Sequence, residues 1–347
     1  MWGQAQTHPN TDRRVKTRTE VSSTRELAIV QRTESPSESL ATLGSLGCDR
    51  DGNIYFATAD PYDADSVHKL NSKGEKIASF RTDSQSELKI DLALNFAIGQ
   101  DGDLYDLVFP KEANRYVFAY KADGTFKSSI KLDPGFPWQP SALAVFQQGT
   151  LLVSGMEYDR DHKNEAMWPF TGLFSSSGSL LKEIKFRDDE ELHDLAASGD
   201  TRVTSATNPW ANHAIEFSKM ETGRDGNVYL MRWTNPAIFY VISPGGEVVR
   251  RFVVDPADTT FHPVTMHLSG SRIAVLFAQR EREEALIQVV DTEGHEISRY
   301  RQSRSSGREK YGDLGLAFAC YSDNPEQFSF LSSADNDRLS ILVAAGR

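Results

Sequence analysis

The chain has 347 residues, of which 39% are hydrophobic and 10% aromatic, enough apolar material for a folded core and too much for global disorder. Its formal net charge of −11 argues against nucleic-acid binding, which needs a basic face, and weakens attraction to anionic lipid surfaces. The sequence contains no apolar run of about 18 residues, so no transmembrane helix is predicted.

The first 25 residues are predicted to form a flexible lead-in to a single domain that spans residues 26–347. Residues 1–7 lack the basic and apolar regions of a signal peptide. However, Gln4-Ala5-Gln6 and the polar stretch after it resemble the mature side of a removed leader. We therefore expect an exported protein, periplasmic or extracellular.

A glycine turn followed by a short β-rich segment recurs along the chain. The clear copies are Asp51-Gly52, Asp101-Gly102 and Asp225-Gly226, and weaker ones occur at 148–149 and 270–271. A second glycine turn follows each first one after 20 to 29 residues, at Gly74, Gly124, Gly178, Gly246 and Gly294. Tight hairpin turns need positive φ, which glycine adopts at no steric cost. Each unit is therefore predicted to be four antiparallel strands joined by hairpins.

Four-stranded units that repeat every 40–50 residues or so are typical of propeller blades. Five units cover approximately 42–83, 92–133, 140–187, 214–255 and 263–301, and a sixth begins near residue 313. The sixth unit supplies only three strands, and residues 26–31 offer the fourth. The sequence thus predicts an all-β, six-bladed β-propeller with four-stranded antiparallel blades. Pairing of the N-terminal strand with the C-terminal blade would close the ring and remove an exposed edge.

The Asp-Gly-Asn-Ile-Tyr and Asp-Gly-Asn-Val-Tyr segments at 51–55 and 225–229, each with its second glycine hairpin, resemble NHL-repeat and TolB-like six-bladed propellers. The resemblance covers nearly the whole chain from residue 26 onward. It implies an architecture and not a chemistry, because propellers of this kind include binding platforms as well as metal-dependent enzymes.

The segments that lead into the innermost strands of a propeller surround one mouth of its central channel. Here they carry polar side chains that we predict to bind a ligand, namely Asp91, Asn95, Gln139, His213, Glu216, His262 and Asp313. His213, Glu216 and His262 are also candidate ligands for a divalent metal in the channel. His213 and Glu216 would converge only in an irregular segment, since residues three apart on a strand face opposite ways. The alternative is the polar lining of any water-filled channel.

Two long segments, 156–172 and 188–213, interrupt the repeat. Loops of this length in a compact fold are usually functional or mobile. Their aromatic and polar side chains are predicted contacts to a glycan or protein, namely Tyr158, His162, Trp168 and Trp210. Alternatively, Trp168 and Trp210 cap the neighbouring blades.

Cys48 and Cys320 occupy equivalent positions on the innermost strands of neighbouring blades. Equivalent side chains point the same way around the ring, so we predict two buried free thiols. A disulfide is the alternative in an exported protein.

These features favour a non-catalytic binding propeller that presents the channel mouth and the long loops to a small molecule, a glycan or a protein. One alternative is a metal-dependent propeller enzyme, either a lactonase-like hydrolase or an amidating-lyase-like enzyme, and another is a scaffold for assembly. Lactonase-type propellers resemble one another in an acidic Glu-Gly-Pro segment, whereas residues 41–46 of this chain contain no acid. The lyase-like alternative depends on His213 and His262 alone. The non-catalytic binding propeller is therefore the preferred hypothesis.

Overall fold

The computed structural model describes residues 23–39, 43–58, 65–81, 90–110, 114–158, 167–197, 212–279, 282–302, 314–332 and 338–347. The described part begins with β1 (Arg25–Ser39). The first two four-stranded sheets comprise β2 (Leu43–Cys48), β3 (Ile54–Thr58), β4 (Asp65–Leu70) and β5 (Lys76–Arg81), then β6 (Ile90–Ile98), β7 (Leu104–Pro110), β8 (Arg115–Tyr120) and β9 (Phe126–Leu132).

The next two sheets have the same antiparallel order. They comprise β10 (Trp138–Val145), β11 (Leu151–Glu157), β12 (Trp168–Phe174) and β13 (Leu180–Glu183), then β14 (Lys219–Thr222), β15 (Val228–Arg232), β16 (Ala237–Ile242) and β17 (Val248–Val254). Two helices, α1 (Asp189–Ala197) and α2 (His213–Glu216), lie on the connection between these two sheets. No helix within the described ranges is both long and apolar enough to cross a membrane.

The remaining strands form one sheet of eight. They are β18 (His262–Ser269), β19 (Arg272–Gln279), β20 (Glu284–Asp291), β21 (Glu296–Gln302), β22 (Phe318–Asp323), β23 (Glu326–Ser332) and β24 (Arg338–Gly346), with β1 between β21 and β24. β1 runs antiparallel to β24, as expected for the N-terminal strand. It also pairs in parallel with β21, where Arg25 lies opposite Tyr300.

The prediction of six separate four-stranded blades is therefore wrong. The structure is an all-β propeller with four separate four-stranded blades and one continuous eight-stranded sheet. The physical reason is the parallel pairing of β1 with β21, which joins strands that the repeat assigns to two units. The spacing of turns gives the number of strands, but it does not show which strand edges form hydrogen bonds.

The first strands of the units surround the axis. β2, β6, β10, β14, β18 and β22 each contact the next in this order, and β22 contacts β2. Apolar side chains fill the spaces between adjacent sheets. Where the ring closes, Phe56 and Leu70 of the first sheet pack with Leu331, Leu339 and Ile341 of the eight-stranded sheet.

A disulfide joins the same two sheets. Cys48 of β2 is bonded to Cys320 of β22, and their Cα atoms are 5.3 Å apart. The prediction of two free thiols is therefore wrong. Its error has a structural cause, because the two cysteines do not occupy equivalent positions in their hairpins. Cys48 is the last residue of β2 and lies opposite Ile54, whereas Cys320 precedes the end of β22 by three residues and lies opposite Ser329.

Two of the second glycine turns show why glycine occupies them. Gly124 has φ of +89°, and a Cβ there would lie 2.6 Å from the carbonyl oxygen of Ser79. Gly178 has φ of +88°, and its Cβ would lie 1.9 Å from the carbonyl oxygen of Lys131. Ser79 and Lys131 belong to β5 and β9, the outer strands of the preceding sheets. These turns thus require glycine both for their backbone angle and for the close approach of neighbouring blades.

Candidate ligand site in the axial channel

A cavity of about 530 Å³ lies on the axis of the propeller. The innermost strands and the turns that follow them line it, so it opens at the end of the propeller where these turns lie, which we call the hairpin face. The polar rim at this face is formed by Asp49, Arg50, Asp51, Gln100, Arg224, Asp323 and Asn324. The Gln100 Nε2 group donates a hydrogen bond of 3.2 Å to the carbonyl of Gly223, which links the turns of the second and fourth sheets.

Three polar side chains line the deeper part of the cavity, namely those of Asn95, Lys219 and Thr265. Each precedes the last residue of its strand by three or four positions, which places it about 10 Å or more below the rim. β-bulges lie directly before Asn95 and Thr265. Because bulges redirect side chains, they explain how inner strands that otherwise pack between blades present polar groups to the channel.

Glu221 also lines the cavity, but the protein occupies both of its oxygens. Oε1 lies 2.7 Å from Nδ1 of His267, and Oε2 accepts a 2.7 Å hydrogen bond from the backbone N–H of Leu268. His267 is buried, and its Nε2 lies 3.0 Å from the carbonyl oxygen of Phe318. This carboxylate therefore holds β14 to β18.

Two acidic residues of the rim also interact with protein groups. Asp49 forms an ion pair of 3.1 Å with the buried Lys69 and accepts a hydrogen bond from the Tyr55 hydroxyl. Asp323 accepts a hydrogen bond of 2.8 Å from Ser269 Oγ. Both carboxylates thus stabilise the turns that form the rim.

Lys219 differs from these acids. Its ammonium group makes no hydrogen bond or ion pair with any residue in the described part of the chain, although its side chain is only partly exposed and faces the cavity. Burial lowers the pKa of Lys219 below its usual value, and the charge of Glu221 opposes this shift. An ammonium group removed from bulk water without a counter-charge is costly, so an anion entering the channel would find a favourable partner here.

The opposite face of the propeller, where the innermost strands begin, carries several of the predicted ligand residues. The Tyr158 hydroxyl donates a 2.5 Å hydrogen bond to Oε1 of Gln139. Helix α2 brings Glu216 to the same region, where its charge contributes to raising the pKa of Tyr158. Burial raises the pKa of the Glu216 carboxyl itself. Tyr158 therefore lies close to both Gln139 and Glu216.

His213 and His262 lie on this opposite face too, but Trp233 stands between them. The indole of Trp233 stacks on His262 with ring centroids 4.8 Å apart, and it meets His213 edge to face at 6.0 Å. Among the described residues, which include Glu216, no three His, Cys, Asp or Glu side chains are grouped to hold a metal ion. The structure thus does not bring His213, Glu216 and His262 together as metal ligands, because an aromatic ring separates the two imidazoles.

The other predicted contacts are distributed as follows. Of the predicted channel residues, Asn95 lines the axial cavity, and Asp91 belongs to β6. Trp168 packs on His193 of α1 with ring centroids 4.1 Å apart. Asp313, His162 and Trp210 lie outside the described residues.

Lys219 and Glu221 are not among the residues predicted from the sequence. The predicted channel residues come from the segments that lead into the innermost strands, whereas the cavity opens at the hairpin face at the other end of these strands. A usable signal was present, because Lys219 precedes Asp225-Gly226 by the same spacing as Asn95 precedes Asp101-Gly102. Both are therefore polar residues at equivalent positions of their innermost strands.

No protein-family profile matches this chain, and no curated protein matches it. The chain is similar to many solved structures, among them the following three. The PQQ-bound form of aldose sugar dehydrogenase from Streptomyces coelicolor is 9% identical with a TM-score of 0.49, over 93% of this chain and 98% of that one. A protein of unknown function from Bacteroides caccae is 12% identical with a TM-score of 0.45, over 80% and 94%.

The third is hydrazine synthase from Kuenenia stuttgartiensis, 14% identical with a TM-score of 0.41, over 72% of this chain and 58% of that one. These identities and TM-scores are too low to transfer a function. The resemblance to NHL-repeat and TolB-like propellers stays a prediction, and a function has to be inferred from the residues of this chain.

Proposed function

We propose that this protein is a non-catalytic binding propeller that takes a small polar ligand into its axial cavity from the hairpin face. The cavity of about 530 Å³ carries this proposal, because ligand sites usually measure roughly 300–1,000 Å³. Its polar strand residues and rim favour a hydrophilic ligand over an apolar one.

The state of the acidic groups favours binding over catalysis. A general base needs a carboxylate or imidazole that is free to take a proton from the substrate. Glu221 and Asp323 instead accept hydrogen bonds from the protein, Asp49 is paired with Lys69, and Asp51 is exposed on the rim, outside the deep part of the cavity. These contacts stabilise the channel wall, which suits a preformed binding site.

A matched pair of variants tests the site. Ser322 lines the cavity near its rim, and Ser128 is an exposed residue of the outer strand β9. We expect Ser322→Tyr to obstruct the cavity, whereas Ser128→Tyr introduces the same side chain far from it. A panel of sugars, sugar acids, hydroxy acids, polyols and amino acids would be tested by thermal shift, and each hit by titration calorimetry.

At least one compound should bind the wild-type protein and the Ser128→Tyr variant, and Ser322→Tyr should bind it much more weakly. Equal binding by both variants would place the ligand elsewhere. Absence of binding by the whole panel would reject the proposed function.

We further infer that the protein works in an oxidising compartment, outside the cytoplasm. The Cys48–Cys320 disulfide supports this inference, because structural disulfides persist in exported proteins and are rare in reducing cytosol. Alkylation of the protein taken directly from its native cells should find both thiols blocked. Two free thiols in that material would contradict export.

A further inference from the structure

We propose that Lys219 binds the carboxylate of a small organic monoacid in the axial cavity, which would make the natural ligand an anionic molecule. The inference rests on the ligand site proposed above and adds the chemical class of its occupant.

Most acidic side chains of the cavity form hydrogen bonds or ion pairs with the protein, whereas its basic side chains do not. Asp49, Glu221 and Asp323 each have a protein partner at 3.1 Å or less. Asp51 lacks one among the described residues, but it is exposed on the rim.

The side chains of the three basic residues of the cavity make no hydrogen bond or ion pair with a described side chain or backbone group. These residues are Lys219, Arg50 and Arg224, and only Lys219 lies deep in the cavity. The unsatisfied charge in the deep part of the cavity is therefore positive.

The neighbours of Lys219 can complete a carboxylate site. Thr265 also lines the deep part, and its hydroxyl has no hydrogen-bond partner within the described ranges. A hydroxyl can donate to one carboxylate oxygen while the ammonium group binds the other. Such charge-assisted hydrogen bonds are stronger than neutral ones. Asn95 is less available, because its amide already bonds the backbone at Ser141 and Phe96.

The position of Glu221 argues for a monoanion. It lies two residues from Lys219 on β14, and residues two apart on a strand project from the same face. Its negative charge would repel a phosphate dianion more strongly than a carboxylate. The deep part of the cavity offers a single ammonium group, whereas phosphate sites usually provide several cations or backbone N–H groups.

The test compares acids with neutral compounds of nearly the same shape. The probes are D-galacturonate with D-galactose, lactate with 1,2-propanediol, and inorganic phosphate, each titrated calorimetrically at neutral pH. The variants are Lys219→Met, Lys219→Gln and Lys219→Arg. Lys131→Met is the control, because it removes the same charge from an exposed position on β9. Circular dichroism establishes that each variant is folded, and the Gln variant serves if the Met variant is not.

We expect at least one organic acid to bind the wild-type protein more tightly than its neutral counterpart and more tightly than phosphate. Removal of the Lys219 charge should weaken this binding by roughly tenfold to a hundredfold, the usual value of a hydrogen bond to a charged group. Lys219→Arg should retain part of the affinity, and Lys131→Met all of it.

Unchanged affinity in Lys219→Met, equal binding of the neutral compounds, or tighter binding of phosphate would each overturn the proposal. A neutral compound that binds as tightly as its acid and is excluded by Ser322→Tyr would refute the role of Lys219 but preserve the proposed ligand site. If no compound of either panel binds, both proposals fail.

Discussion

The connection between the third and fourth blades is anchored by a buried ion pair, and its removal is the clearest test of the fold. Arg232 is fully buried, and its Nη2 lies 3.3 Å from Oδ1 of Asp189, the first residue of α1. Its Nη1 donates to Ser154 Oγ at 2.8 Å and to Ser218 Oγ at 3.2 Å. Burial raises the pKa of Asp189, an effect that the charge of Arg232 opposes. The substitution Asp189→Asn retains an oxygen acceptor but leaves the guanidinium without a counter-charge.

Removing one member of a buried ion pair usually costs about 3–5 kcal/mol of unfolding free energy. We expect about 3 kcal/mol here, at the lower end, because the serine hydroxyls still accept hydrogen bonds from Arg232. The double variant Asp189→Asn, Arg232→Met should be more stable than Asp189→Asn alone, since it also removes the uncompensated charge. Asp194→Asn is the control, because Asp194 is an exposed acid of the same helix and should change stability by less than about 0.5 kcal/mol.

Urea unfolding followed by circular dichroism and tryptophan fluorescence measures these differences from the midpoint and slope of each transition. A loss below about 1 kcal/mol in Asp189→Asn would show that the ion pair does not anchor this connection. A double variant no more stable than the single one would show that the cost does not come from the unpaired guanidinium.

Three further predictions concern the ring and the channel. Replacing both Cys48 and Cys320 by Ser should lower the unfolding free energy by about 3–5 kcal/mol, because the disulfide spans 272 residues; urea unfolding measures this. Lys219→Met should stabilise the protein at neutral pH. This gain in stability over the wild type should shrink as the pH rises towards 10.5. Because the pKa of Lys219 is lowered in the folded wild type, the folded state binds fewer protons than the unfolded chain, and the wild type becomes more stable as the pH rises; urea midpoints across this pH range measure the change. Gly155→Ala should cost about 2–3 kcal/mol in thermal unfolding, because the new Cβ would lie 2.1 Å from the backbone oxygen of Gln139; an unchanged midpoint would contradict the packing.

The repeat was predictable because its turns depend on local chemistry. Gly52, Gly102 and Gly226 all have φ near +80°, the conformation that makes glycine frequent in such hairpins. Alternating apolar residues between these turns then indicate strands. The division into sheets was not predictable in the same way, because the parallel contact of β1 with β21 involves only Arg25, Glu26 and Leu27 of β1.

The site was predictable only in part, for two physical reasons. Bulges such as the one before Thr265 change which side chains reach the channel, and nothing in the residue spacing reports them. Histidines are also common metal ligands, so the sequence favoured His213 and His262 as site residues, but their side chains pack around Trp233. Lys219 gave a weaker signal, because a lysine in a short strand is usually solvated and its burial appears only in three dimensions.

A crystal structure of the protein with D-galacturonate, determined beside one with D-galactose, tests the central claim most directly. The account predicts density for the acid in the axial cavity, with its carboxylate against Lys219 and Thr265, and a weaker signal or none for the neutral sugar. Density for the acid on the opposite face near Trp233, with the axial cavity unoccupied, would contradict it.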